Sequence, residues 1–384
     1  MFRGFCVDRR LIHSLVIVFY ISGHGFGHAT RDLEIIRHLQ QRRPGTSIVV
    51  RTSVPAWFLA KSARASIDVQ PCEADTGIVQ IDSLQLDEVE TIRQATAFYR
   101  QFDARVEMEA GILKTAGASI VVGDVPPLAF AAAARAGIPS IAVANFTWDW
   151  IYAAYAGFHH NASPVLATIQ DAYANADVAL RLPFAGGFET MPSIRDVPLV
   201  ARHSRRTREA NRRLLNLSDR RPVVLASFGG HGAHLPFERI AETHDVTLVV
   251  TDQEVKAIRE DTAFDGRLRC FTGRALEQAG IRYEDLVAAA DVVVSKAGYG
   301  IVSECIANRT ALLYTSRGVF AEHDVLVAGM KPVVRSGFIS QDDLRNGQWE
   351  PAIRALLAEP EPPERMRTDG ASVVASAILE VVSR

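Results

Sequence analysis

The stretch Leu15-Val16-Ile17-Val18-Phe19-Tyr20-Ile21-Ser22-Gly23-His24-Gly25-Phe26-Gly27-His28-Ala29-Thr30-Arg31 decides the reading of the fold. Its first seven residues form an unbroken apolar run, β-branched or aromatic from Val16 onward, the pattern of a strand buried on both faces. A glycine-rich turn follows, and Leu33, Ile36 and Leu39 then recur at helical spacing. A strand that enters a helix through a glycine turn is the opening of a βαβ unit. The rhythm continues outward, with strands expected at Ser47–Thr52, Ser119–Gly123 and Ser140–Asn145 and an Ala-rich helix at Leu128–Ala136. One long helical pattern between Asp87 and Thr115 reads as an excursion of this first unit, where acceptor-binding surface can be added.

The pattern then restarts. Strands are expected at Pro222–Ser227, Val246–Thr251, Leu268–Phe271, Asp291–Ser295 and Ala311–Thr315, with helices between most of them. This is an α/β chain with two Rossmann-like halves. The expected division is 1–200 for the first domain, 201–221 for a linker and the start of the second, 222–362 for the second domain, and 363–384 for a closing helix. A length of 384 residues suits two cores better than one.

Hydrophobic residues make up 48% of the chain and charged residues 22%, the balance of a folded globular protein rather than a disordered or membrane-spanning one. The net charge of -2 gives no general reason to expect nucleic acid as a partner. The arginine-rich run containing Arg202, Arg205, Arg206, Arg208, Arg212 and Arg213 therefore reads as a solvated linker helix. Cys6, Cys72, Cys270 and Cys305 lack the spacing of a zinc site or a disulfide framework, which suits a reducing compartment, and a cytoplasmic location is expected. Arg3, Arg9 and Arg10 ahead of Leu11–Ile21 resemble a signal peptide, but the run carries His13, lacks a cleavage site and leads straight into the glycine turn. It is also too short to span a bilayer; no transmembrane segment is expected, and peripheral membrane contact is left open.

Four motifs carry chemistry. In the first turn, glycines allow close backbone approach and the free amides of the helix start favour an anion or a polarised oxygen. The turn contains His24 and His28, and Asp124 ends a strand of the same sheet, so it can hold one imidazole nitrogen and leave the other as a base. The alternatives are that His24 packs or caps and that Asp124 caps the helix ahead of Pro126 and Pro127. In the second half, Ser227-Phe228-Gly229-Gly230-His231-Gly232 follows a strand, so the amides around Gly229, Gly230 and Gly232 can cradle phosphate. Lys296-Ala297-Gly298-Tyr299-Gly300-Ile301-Val302-Ser303-Glu304 is again strand, glycine turn and helix. Lys296, Gly298 and Gly300 suit a diphosphate there, and Glu304 lies one turn into the helix, where it can accept from ribose hydroxyls. Glu322 and His323 offer acceptors for a sugar. Trp148, Trp150, Tyr152 and Tyr155 fit either stacking on an acceptor or packing of a helix; Trp148, with His24, is the acceptor-side candidate. A dehydrogenase turn fits less well, because the second strand ends in Arg51-Thr52-Ser53 with no acid for a ribose.

Taken in order, these motifs resemble the nucleotide-sugar glycosyltransferases of GT-B fold, which include the UDP-glycosyltransferases and the N-acetylglucosaminyltransferase of peptidoglycan synthesis. The resemblance covers both halves. It implies two Rossmann-like domains whose parallel sheets face a central cleft. Gly27-His28 looks like the family's Gly-His with its acceptor base, Asp124 like the partner aspartate, Lys296–Glu304 like the donor signature, and Glu322-His323 like the pair that holds the donor sugar. A further likeness, through Gly23–Arg31 and Asn145-Phe146-Thr147-Trp148-Asp149-Trp150-Ile151-Tyr152, is to the N-terminal glycosyltransferase-like domain of plant L-arabinokinases. Arg31 stands where the family commonly has proline, and Gly300 and Ile301 where plant members have polar residues. The resemblance implies inverting, metal-independent transfer from a nucleoside-diphosphate sugar, with a UDP-sugar expected, to an unidentified hydroxyl, with no cofactor. Two other activities share the architecture: sugar-nucleotide binding without turnover, and sugar-nucleotide epimerisation.

Overall fold

The computed structural model describes residues 15–63, 66–160, 163–229, 233, 235–251 and 266–383. Two wholly parallel sheets organise them. The first has seven strands: β1 (Val16–Ile21), β2 (Ser47–Thr52), β3 (Asp68–Pro71), β4 (Ile120–Asp124), β5 (Ser140–Phe146), β6 (Val178–Gly186) and β7 (Ile194–Asp196), in the order β3-β2-β1-β4-β5-β6-β7. The second has six: β8 (Val223–Ala226), β9 (Thr247–Thr251), β10 (Leu268–Phe271), β11 (Val292–Lys296), β12 (Ala311–Thr315) and β13 (Ser336–Phe338), in the order β10-β9-β8-β11-β12-β13. In both sheets the order reverses beside the first strand, which opens a crevice at the carboxyl ends of two neighbours. For the first sheet these are β1 and β4, paired so that Ile21 lies opposite Asp124. For the second they are β8 and β11, with Ala226 opposite Val294.

The central strands are buried along nearly their whole length, as helices on both sides of a parallel sheet require. The helix Pro127–Ala136 starts on a proline and stops at Gly137, whose φ of 73° places it in the left-handed conformation of a helix C-terminus. The expected helix over 87–115 is two helices, Glu88–Arg100 and Phe102–Thr115, broken at Gln101 (φ -104°, ψ 13°). The break lets Phe98, Tyr99 and Phe102 all enter the core beneath Trp148 and Tyr152. The second helix meanwhile carries Glu109 to Tyr20 and Arg51, whose hydroxyl and guanidinium bond its carboxylate.

Chain and core cross between the domains. The helix Gly370–Val382 packs on the helix Phe26–Arg42 and puts Val374, Ala375 and Ile378 into the core of the first domain. Gly370 donates its amide to Leu199 O, and a Cβ at this position would collide with the Pro198 carbonyl. Leu84 is buried in the core of the second domain, Tyr299 and Phe320 in cores of the first. The arginine-rich segment, read above as solvated, is so only in part: Arg205, Arg206 and Arg213 are exposed, while Arg208 and Arg212 both bond Asp291 and Arg206 lies 3.4 Å from Asp285. Among the described residues no helix is long and apolar enough to cross a membrane.

Candidate active site

The turn after β1 delivers the helix Phe26–Arg42. Its N-cap, Gly25, has a φ of 79° that a side chain would strain, and no side chain caps the helix. The helix Tyr299–Asn308 after β11 likewise begins on a glycine, Gly298, without a side-chain cap. The two helix starts meet: a Cβ at Gly300 would stand 3.5 Å from Gly27 Cα. Two uncapped amide-rich, positive helix ends thus converge where the crevices of the two sheets face each other.

His28 and Asp124 come together as expected, with Nδ1 3.0 Å from Oδ1. Asp124 is fully buried, and the β-branched residue after it, Val125, is held at φ 81°. Burial alone would raise the Asp124 carboxyl, but the charge of Arg31 and the hydrogen bonds from Arg31 and His28 hold it down to about 2. Arg31 forks onto it, Nε donating to Oδ2 at 2.9 Å and Nη2 to Oδ1 at 2.5 Å. An ionised carboxylate accepts and does not donate, so it favours the proton on His28 Nδ1 and leaves Nε2 with its lone pair. Asp32, fully buried in the next position with neither oxygen bonded, is pushed well above the carboxylate range by burial and by the charge of Asp124.

The acceptor-side candidates sit deeper. Trp148 is fully buried, its indole donating to Asp75 Oδ2 at 2.8 Å. Ser22 Oγ donates to the other Asp75 oxygen, and burial pushes that carboxyl up to about 6. His24 accepts the Ile78 amide at Nδ1 and packs between Phe320 and the edge of Trp148. Burial, then the positive charge of Arg317, keeps its pKa well below the ordinary histidine value.

On the donor side, Gly229 turns out of β8 at φ 81°, while Gly230, His231 and Gly232 lie outside the described residues. Lys296 ends β11, with Nζ 3.5 Å from Gln80 Oε1 of the first domain. Glu304 is buried and accepts from Arg202 Nε at 2.6 Å through Oε1, while Oε2 has no hydrogen-bond partner. Burial raises its carboxyl to about 7 despite that arginine. Glu322 is also buried, accepting from Arg317 at 2.7 Å and from Asn145 at 2.7 Å. His323 is half-buried with Nδ1 unbonded, and burial lowers its pKa. Among the described residues no group of three or more His, Cys, Asp or Glu is placed to hold a metal ion.

Sequence reading missed the partners rather than the motifs. Arg31 was noted only as a replaced proline, although i to i+3 spacing from His28 puts the two on one helix face. Asn145 could have been found as a polar residue near the carboxyl end of the strand beside β4. Arg202 and Arg317 carry no local signal.

The fold is GT-B, an architecture shared with solved glycosyltransferase structures. The chain is 16% identical to the calicheamicin glycosyltransferase CalG4, with a TM-score of 0.64 and coverage of 96% of this chain and 99% of that one. A UDP-glucosyltransferase from Polygonum tinctorium superposes with a TM-score of 0.58 at 15% identity, over 96% and 94% of the two chains. By sequence it is 33% identical to the L-arabinokinase of Arabidopsis thaliana over 360 residues, 90% of this chain. The chain spans only 32% of that relative's length. It is 27% identical over 381 residues to a UDP-N-acetylglucosamine–N-acetylmuramyl-(pentapeptide) pyrophosphoryl-undecaprenol N-acetylglucosamine transferase of Clavibacter michiganensis, covering 93% and 92% of the two chains. No family model matches the chain.

Proposed function

We propose that this protein transfers a sugar, with inversion and without a metal, from a nucleoside-diphosphate sugar to a hydroxyl acceptor, and that the donor is a UDP-sugar. The observation that carries the reading is the buried His28–Asp124 pair set against the uncapped start of the helix Tyr299–Asn308. In this mechanism His28 Nε2 takes the acceptor's proton as its oxygen attacks the anomeric carbon. The bond from that carbon to the diphosphate breaks on the opposite side. Charge gathers on the departing diphosphate, where the amides after Gly298, the Gly229 turn and Lys296 offset it. Glu304 Oε2 suits a ribose hydroxyl, and Glu322 and His323 suit the donor sugar. A membrane-associated acceptor is compatible with the reading, as is a cytoplasmic location.

The relatives support transfer to differing extents, since the transferase from Clavibacter michiganensis matches nearly end to end and the arabinokinase over a third of its length. A second reading, binding of a sugar nucleotide without turnover, is favoured by one observation. Glu322 and Lys296 are bonded to Arg317 and Gln80, so a donor sugar and diphosphate compete there with contacts within the chain. Release of nucleoside diphosphate from a panel of sugar nucleotides and hydroxylated acceptors separates the two readings. Transfer predicts release that falls at least 100-fold in His28→Ala, the order associated with a lost general base. Release at the original rate in that variant would remove His28 from the mechanism, and binding without any release would favour the second reading.

A further inference from the structure

Transfer by His28 leaves Arg31 and Asn145 without a part, yet both are buried at the centre of the site, 6% and 1% exposed. We propose that Arg31 and Asn145 are positioning residues that tie the orientation and tautomer of His28 to Glu322 across the domain boundary; this rests on the transfer reading above.

The path is continuous. Glu322 Oε1, in the second domain, accepts from Asn145 Nδ2 at 2.7 Å. Asn145 Oδ1 accepts from Arg31 Nη1 at 2.9 Å. Arg31 then grips both oxygens of Asp124, and its Nη2 comes within 3.1 Å of His28 Nδ1. The asparagine has no freedom to flip, because a flipped amide would set its oxygen against a carboxylate and its nitrogen against a guanidinium. The far side is held as firmly, with Arg317 on Glu322 Oε2 and the Tyr299 ring 5.0 Å from the Arg31 guanidinium.

Nδ1 of His28 therefore has two competing partners at nearly equal range. With a proton it donates to Asp124 at 3.0 Å, and Nε2 is the free base. Without one it accepts from Arg31 at 3.1 Å, the proton sits on Nε2, and the ring is no base for an acceptor. Asn145 holds the guanidinium by Nη1 and so limits how far Nη2 can turn onto the imidazole. A donor hydroxyl that engages Glu322 acts on the same amide, so occupancy of the donor-sugar site reaches the base through two side chains.

The test is the tautomer itself, read from the imidazole nitrogens of the full chain labelled with ¹⁵N-histidine, with His28→Gln identifying the His28 signals. The expected wild-type state has a proton-bearing Nδ1 and a bare Nε2. Asn145→Ala, and independently the nearly isosteric Glu322→Gln, should move His28 toward the opposite tautomer. In Asn145→Ala kcat should fall on the order of tenfold, as for a lost orienting partner. Unchanged His28 nitrogens in both variants would overturn the proposal, even if wild-type transfer were observed. A shift of tautomer in a protein that turns over no sugar nucleotide would uphold the linkage and defeat the transfer reading instead.

Discussion

Asp124 illustrates how one buried carboxylate serves two partners, with burial opposing its charge and Arg31 and His28 restoring it. Glu304 and Asp75 show the opposite balance, raised from ordinary values of 4.5 and 3.8 to about 7 and about 6 because burial outweighs their partners. In that window each of these two carboxyls holds a proton in the folded chain that it releases in the unfolded one, so its own contribution to stability is greatest at the acid end and falls as pH rises toward 7; the lowered pKa values of His24 and His323 act in the opposite sense. Urea unfolding of the wild type and of Glu304→Gln, each at pH 5 and pH 7.5, should isolate the Glu304 share of this loss as a difference in slope on the order of 1.4 kcal/mol per pH unit. An equal slope in that variant would place the proton uptake elsewhere. Which residues meet at the two glycine turns was legible in the sequence at this scale, because glycine turns and strand-end acids declare themselves. What each one touches was not: Arg202 reaches Glu304 and Arg317 reaches Glu322 through tertiary placement alone.

Between β3 and the helix Glu88–Arg100, a finger of the first domain closes on the isolated bridge Gln80–Leu86 and is tightened by Asp82 Oδ1 on the amides of Leu84 and Gln85. It reaches the second domain through Gln80 at Lys296, Asp82 at Arg345, Ser83 on the Phe228 carbonyl, the Leu84 carbonyl on Gln341, and the Leu84 side chain in the core. Leu84→Ala should cost roughly 2–5 kcal/mol, as for other buried leucines, and should speed proteolysis of the finger. A loss below about 0.5 kcal/mol in a denaturant melt would show that the finger does not fasten the domains. The central strands could be read to within a residue or two, since double burial writes an unbroken apolar run. The strands that were not foreseen lie toward or at the sheet edges, where that requirement relaxes: Asp68–Pro71 is polar with a terminal proline, Val178–Gly186 contains Pro183, Ile194–Asp196 is exposed throughout, and Ser336–Phe338 is only three residues long. The single helix expected over 87–115 failed because periodicity continues through Gln101 while the chain does not.

Across the whole molecule, the two helix starts, the finger, the crossing of residues 198–200 with 367–370 and the path from His28 to Glu322 all join the same two bodies. In the proposed function a nucleotide sugar entering this cleft meets the unbonded Glu304 Oε2 and competes with the internal partners of Glu322 and Lys296. The most direct test of the donor site is thermal unfolding of the full chain with nucleoside diphosphates, their sugar conjugates and nicotinamide dinucleotides, because a ligand of the folded state raises the melting temperature by mass action. Stabilisation by one nucleoside-diphosphate series, lost in Glu304→Ala, is the predicted result; a flat response to every nucleotide, or a response confined to the nicotinamide dinucleotides, would contradict it.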